Sequence, residues 1–471
     1  MSTGETGIAH LVTSLQIDCW GVQGVEPSEI PDRLRQIYLE RFTFDPDEDP
    51  ASAAGLLGRF PVDSVYQQLR SDLDARGLSL QCPYTYLLID LWRTRFHSQV
   101  SSGDPGSAGH PLVASAYTGD VNACTYRAQD GSRAIVFEDE LLHFFQVASQ
   151  GLFGMFVHRE GNQLSFDLSW PPSEAHLAQL HVASDWLFGS AVRSMLIHGS
   201  VMQREEKFAP PVQHEIELTL AGEVAGGLFN FVYAHEQAHI NARHYELLWG
   251  EGGRPIPRRP VPEQEDAFER CKLRYPELLA ALNAEQIQLF LTRQMMEVEA
   301  DCFACMMLIN SWRAMVAAHG MDRLRLTCML AGGFSTLILF WMIEQMVLII
   351  AYGKDVERGA YPVALLGEDD LVQNLCFRST HPTPLNRMMS VESFFQDERV
   401  AAAMSAQNDA RWVEDTGDIL AFFNQLRRFL TESFQLWLDD KRADALFNLG
   451  LDGIKPQWRK MLDEMPRPRD T

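Results

Sequence analysis

Phe231-Val232-Tyr233-Ala234-His235-Glu236-Gln237-Ala238-His239-Ile240 sets the terms for the rest of the chain. It holds H-E-x-x-H between apolar flanks. On a helix, His235 and His239 fall one turn apart on one face. Two imidazoles so placed can bind one zinc ion, and Glu236, about 100° round the helix, can reach a water at that metal as general base. Gly226 and Gly227 precede the motif, and Leu228, Phe229, Phe231, Val232, Ala234 and Ala238 keep a helical apolar pattern without proline. The pattern predicts a helix running to about Trp249, where Gly250, Gly252 and Gly253 stop it. A buried helix carrying two histidines and a glutamate needs partners for them, and a metal is the simplest one.

The rest of the composition narrows the setting. A chain of 471 residues has room for one large elaborated domain or two to three smaller ones. The formal net charge of -23 argues against nonspecific nucleic-acid binding and against docking on anionic membranes. The eight cysteines are scattered and form no disulfide framework. The start, Met1-Ser-Thr-Gly-Glu-Thr-Gly7, has neither a basic nor an apolar leader region. These features predict a cytoplasmic protein with reduced thiols. From Thr327 to Tyr352 the chain is almost wholly apolar, long enough to cross a bilayer, but Glu344 and Gln345 interrupt it. A buried core helix is the reading adopted, with a membrane span as the alternative.

In chain order, residues 1–112 read as a mostly helical N-terminal region, with helices at Pro31–Phe42 and Val62–Arg76 and a helix or strand at Tyr84–Phe96. Asp45–Pro50 lacks calcium-loop spacing and reads as a solvated acidic loop. Ser101–Gly109 is a flexible connection. Cys124–Arg127 and Arg133–Phe137 form a predicted hairpin, followed by a helix at Leu141–Val147, β structure at Gly154–Trp170 and a long helix at Ser173–Gly199. Ile216–Leu220 reads as a short strand. Residues 250–262 form a Gly/Pro-rich basic loop. Helices follow at Glu263–Arg274, at Asn283 to about His319, over the apolar stretch, and after Thr383-Pro384. Residues 396–471 read as an amphipathic helical cap.

A catalytic zinc site takes three protein ligands and keeps one open position. Glu297-Val-Glu299-Ala-Asp301 supplies the third. Glu297 and Asp301 are four apart and share a helix face, while Glu299 points away. Glu297 can ligate the metal and Asp301 can orient a ligand histidine. The neighbours Met295, Met296, Val298, Ala300, Phe303 and Ala304 leave little polar face, so these carboxylates need a compensating cation. Cys302 and Cys305, with no second C-x-x-C, read as core thiols.

His235-Glu-Gln-Ala-His239 followed by Glu297-Val-Glu-Ala-Asp301 resembles the M48 metallopeptidases, the gluzincins of Ste24 and HtpX type. Ile240-Asn-Ala-Arg-His244, Asn122-Ala-Cys-Thr with Ala134–Phe137, and Ser379-Thr-His381-Pro with Arg387 are similar to further ordered elements of that family. The resemblance implies an α+β, mostly helical fold: a zincin-like core with a small edge sheet and added helical regions. It implies a metallopeptidase domain over 113–395, with an insertion at about 150–225, between the N-terminal helices (1–112) and the C-terminal ones (396–471). It implies one Zn2+ per chain on His235, His239 and Glu297, with Asp301 behind a ligand. It places His381 and Arg387 at the cleft as oxyanion donors. It makes Ala134, Ile135, Val136 and Phe137 the edge strand to which a peptide substrate adds. The function expected is a zinc endopeptidase with Glu236 as general base, acting on a protein or peptide. The alternatives are an inactive metal-binding or sensor protein of the same fold, and a membrane-associated protease using 327–352.

Overall fold

The computed structural model describes residues 7–42, 62–100, 111–117, 122–128, 130–161, 163–196, 211–212, 214–244, 284–319, 323–352, 384–397 and 411–439, together with 454, 455 and 459. The expected loops at 45–50, 101–109 and 250–262, the helix at Glu263–Arg274 and His381 lie outside them.

The protein is mostly helical with a small mixed sheet. Among the described residues four helices come first: α1 (Ile8–Val22), α2 (Ile30–Phe42), α3 (Val62–Ala75) and α4 (Pro83–Val100). Strands β1 (Leu112–Ala116), β2 (Ala123–Arg127) and β3 (Arg133–Glu138) form one sheet in the order β1-β3-β2. The hairpin of β2 and β3 is antiparallel as expected, pairing Thr125 with Ile135, while β1 joins β3 in parallel, Val113 against Ile135. Alternate residues therefore serve two cores. Val113, Ile135 and Phe137 face the main core, while Ala114, Ala116, Ala134 and Val136 meet Val12 of α1, Leu73 and Tyr86.

Helix α5 (Asp139–Phe156) follows β3 directly and is longer than the expected Leu141–Val147. Glu138 caps it by accepting hydrogen bonds from the backbone N–H groups of Glu140 and Leu141. The β structure expected from Gly154 begins only at Val157, in a hairpin of β4 (Val157–Glu160) and β5 (Gln163–Phe166). Ser173 caps α6 (Glu174–Ser184), which continues through a π-helical stretch, Asp185–Val192, into a final turn at Arg193–Leu196.

Helix α7 (Glu215–Asn241) carries the histidine motif and starts about five turns before it. The strand expected at Ile216–Leu220 is its first turn. Glu215 and Glu217 sit at the positive end of the helix dipole, and Glu217 accepts a hydrogen bond from the backbone N–H of His214, which outweighs the alternating Ile-Glu-Leu-Thr-Leu pattern. The helix ends at Asn241, short of Trp249, because Arg243 takes a left-handed backbone (φ 55°).

Helices α8 (Ala284–His319), α9 (Arg323–Tyr352), α10 (Pro384–Gln396) and α11 (Arg411–Asp439) follow among the described residues. Helix α9 is long and apolar enough to cross a membrane, but 83% of its most apolar window is buried inside the protein. Its main neighbour is α7, and the crossing is made by glycines. A Cβ on Gly227 would sit 2.0 Å from the Met329 carbonyl oxygen, and one on Gly332 would sit 2.2 Å from that of Val224. The sheet packs on α7 through Phe137 and Phe229, stacked at 4.9 Å. One continuous core takes in Ile89, Trp92 and Phe96 of α4 and Phe423, Leu426 and Phe429 of α11, so it crosses both expected domain boundaries.

Candidate metal centre

Three donor atoms converge between α7 and α8. His239 Nε2 lies 3.1 Å from His235 Nε2, and Glu297 brings Oε2 to 3.2 Å from His235 Nε2 and Oε1 to 3.7 Å from His239 Nε2. A tetrahedral ion with bonds of ~2.0–2.1 Å holds its ligand atoms ~3.3 Å apart, so the spacing fits a small divalent metal. His235, His239 and Glu297 form the only such group among the described residues.

The tautomer of His235 supports the fit. Its Nδ1 donates to Asp301 Oδ1 at 2.9 Å, which in the neutral ring leaves Nε2 as an electron-pair donor facing a carboxylate. Two acceptors that close, in a buried pocket, call for a cation between them. Burial works against a charge on His235, but the hydrogen bonds of Asp301 and Glu297 outweigh it and lift the imidazole to about 9. The site is thus built to hold positive charge, as a proton or as a metal ion.

Asp301 is fully buried, and burial alone would raise its pKa. The charge and hydrogen bonds of Arg387 and the bond to His235 reverse that and hold it low. Arg387 donates from Nε to Oδ2 and from Nη2 to Oδ1, both at 2.6 Å, a bidentate clamp. Arg387 was expected as an oxyanion donor at the cleft. The structure instead directs two of its donors to Asp301, so its demonstrable contact is behind the metal group.

Glu236 is buried beside the trio, and burial raises its pKa against the opposing charges of His239 and His235. Thr125 of β2 donates from Oγ1 to Glu236 Oε2 at 2.9 Å. This contact was not foreseen. Ala134, Ile135, Val136 and Phe137, expected as the sheet edge, form the central strand β3, paired on both sides. Among the described residues β2 has one sheet partner only, and its Ala-Cys-Thr-Tyr-Arg residues range from buried Ala123 to exposed Cys124 and Arg127. The strand that touches the site is therefore β2.

Two further residues, His244 and Glu299, were noticed in the sequence but given no role at the site. His239 Nδ1 lies 2.8 Å from His244 Nδ1, and His244 Nε2 lies 3.3 Å from Glu299 Oε2. In a continued helix, a residue five places on sits roughly 140° away, so His244 reaches His239 only through the left-handed turn at Arg243. Cys302 and Cys305 are buried, and burial pushes both thiols up, as core residues require.

No protein-family model, no curated protein and no solved structure matches the chain.

Proposed function

We propose that the chain is a zinc-dependent endopeptidase with a zincin-like core, a divergent relative of the M48 metallopeptidases. The convergence of His235, His239 and Glu297, with Glu236 one residue from the first ligand, carries this reading. The two imidazoles and the carboxylate would hold the ion, and that donor set suits zinc. A zinc ion there would supply Lewis acidity to a carbonyl and to water.

The chain's own residues supply the rest. Glu236 takes the proton of the attacking water and delivers it to the leaving amine. Thr125 keeps one of its oxygens oriented. Among the described residues β2 has a strand partner on one side only, and its other side would accept an extended peptide as an added strand beside Glu236. Asp301 and Arg387 hold His235 in the tautomer that ligates through Nε2. His381 remains a candidate oxyanion donor by resemblance alone.

The test compares zinc-loaded wild type with Glu236→Gln by profiling new protein N-termini in a cell extract. General-base removal costs about 10²–10⁴-fold in rate. New termini should appear with wild type only and vanish when a chelator removes the metal. Equal profiles from two folded, zinc-loaded proteins would favour a non-catalytic metal-binding role and defeat the peptidase reading.

A further inference from the structure

We propose that His244 is a positioning residue for the ligand His239, and that Glu299 orients His244 in turn; this rests on the metal-site reading above. A neutral imidazole carries one N–H. The carboxylate of Glu299 can only accept, so His244 Nε2 bears the hydrogen and donates to Glu299 Oε2. His244 Nδ1 is then an acceptor, and His239 Nδ1 donates to it across 2.8 Å. That leaves His239 Nε2 as an electron-pair donor turned toward His235 and Glu297.

The two ligand histidines are thus set by different devices. His235 meets a carboxylate directly, and that carboxylate is clamped by Arg387. His239 meets a carboxylate through a second imidazole. His244 is 2% exposed, so packing and hydrogen bonding both fix its ring, whereas the Glu299 side chain is 53% exposed. The inner member of this relay should therefore matter more than the outer one. Glu299, which lies off the Glu297–Asp301 face, acquires a role from this arrangement, and so does the left-handed turn at Arg243, which brings His244 back beneath the helix end.

The test is zinc affinity, measured on the full-length protein by competition with a chromophoric chelator, with unfolding midpoints of the metal-free proteins as the control. His244→Phe keeps a ring but offers no acceptor, while the Oδ1 of His244→Asn can take the place of Nδ1. Loss of an outer partner of a ligand typically weakens metal binding about 10–100-fold. His244→Phe should fall in that range, with His244→Asn recovering most of the loss. Equal losses for both variants, or none for His244→Phe, would overturn the proposal. If His244→Phe does not fold, Glu299→Met carries the test, with a loss of roughly threefold expected; unchanged affinity would overturn the relay. Wild type that binds no zinc, with His239→Ala making no difference, would sink the metal site itself and this proposal with it.

Discussion

The two halves of α7 are held by opposite means. Near Val224 and Gly227 the helix meets α9 backbone against backbone, with Gly332 and Gly333 on the other side and no side chain between. From His235 onward it meets α8, and through Asp301 α10, by polar contacts: His235 with Asp301, Asp301 with Arg387, His239 with Glu297. The first contact tolerates no added atom. The second tolerates no lost charge. Shape fixes where the helix lies, and charge fixes which way its side chains face. The hydrogen bonds that Asp301 accepts from His235 and Arg387 are 2.6–2.9 Å long, so the helices that carry them must stay in register. The glycine crossing supplies that register about two turns upstream of the motif.

The sharpest way to break this comparison is Gly227→Ala. The new Cβ would lie 2.0 Å from a carbonyl oxygen and 2.7 Å from the Gly333 nitrogen, both backbone, so neither can swing aside. Separating α7 from α9 would cost more than about 5 kcal/mol, comparable with the whole stability of a domain. The variant should show no cooperative unfolding transition by circular dichroism. A folded variant with a near-normal midpoint would show that the crossing is looser than the geometry says.

The polar half should fail more mildly and more specifically. Arg387→Leu leaves Asp301, 0% exposed, without its cation. Removing one partner of a buried ion pair costs about 3–5 kcal/mol. The denaturation midpoint should fall accordingly while a cooperative transition survives. Adding Asp301→Asn should restore part of the stability, because the stranded charge is gone. If the double variant is no more stable than Arg387→Leu alone, the clamp is not what stabilises this half.

The sequence disclosed the two halves unequally. His235, Glu236, His239, Glu297 and Asp301 were legible because ligation needs residues one turn apart, and that spacing survives any tertiary detail. Gly226, Gly227, Gly332 and Gly333 were visible too, but only as breaks in apolar runs. Nothing local pairs a glycine with another a hundred residues on. The place of β3 was misjudged although its residues held the answer. Ala134-Ile-Val-Phe137 is apolar without alternation, as a strand covered on both faces must be, whereas Ala-Cys-Thr-Tyr-Arg in β2 mixes exposed and buried positions as an edge strand does. The link from His239 to His244 was hidden because a helical projection cannot carry it past a left-handed residue.

Glu344 gives the smallest effect and marks where the two halves meet, since it lies on α9 twelve residues beyond Gly332, ~18 Å along the same helix. It is the lone acid in the apolar stretch. Burial lifts its pKa to about 8, against the pull of Arg387. The folded protein therefore holds a proton that the unfolded chain, titrating near 4.5, releases earlier. This contribution to stability is complete below about 4.5 and is lost as pH rises to about 8, above which it stays lost. Glu344→Gln carries no such proton. Its melting temperature should fall less than that of wild type between pH 5 and pH 8, and at pH 8 the variant should be the more stable protein. Parallel curves across that range would mean that Glu344 titrates as if in water, and that the apolar packing of α9 ends before it reaches the site.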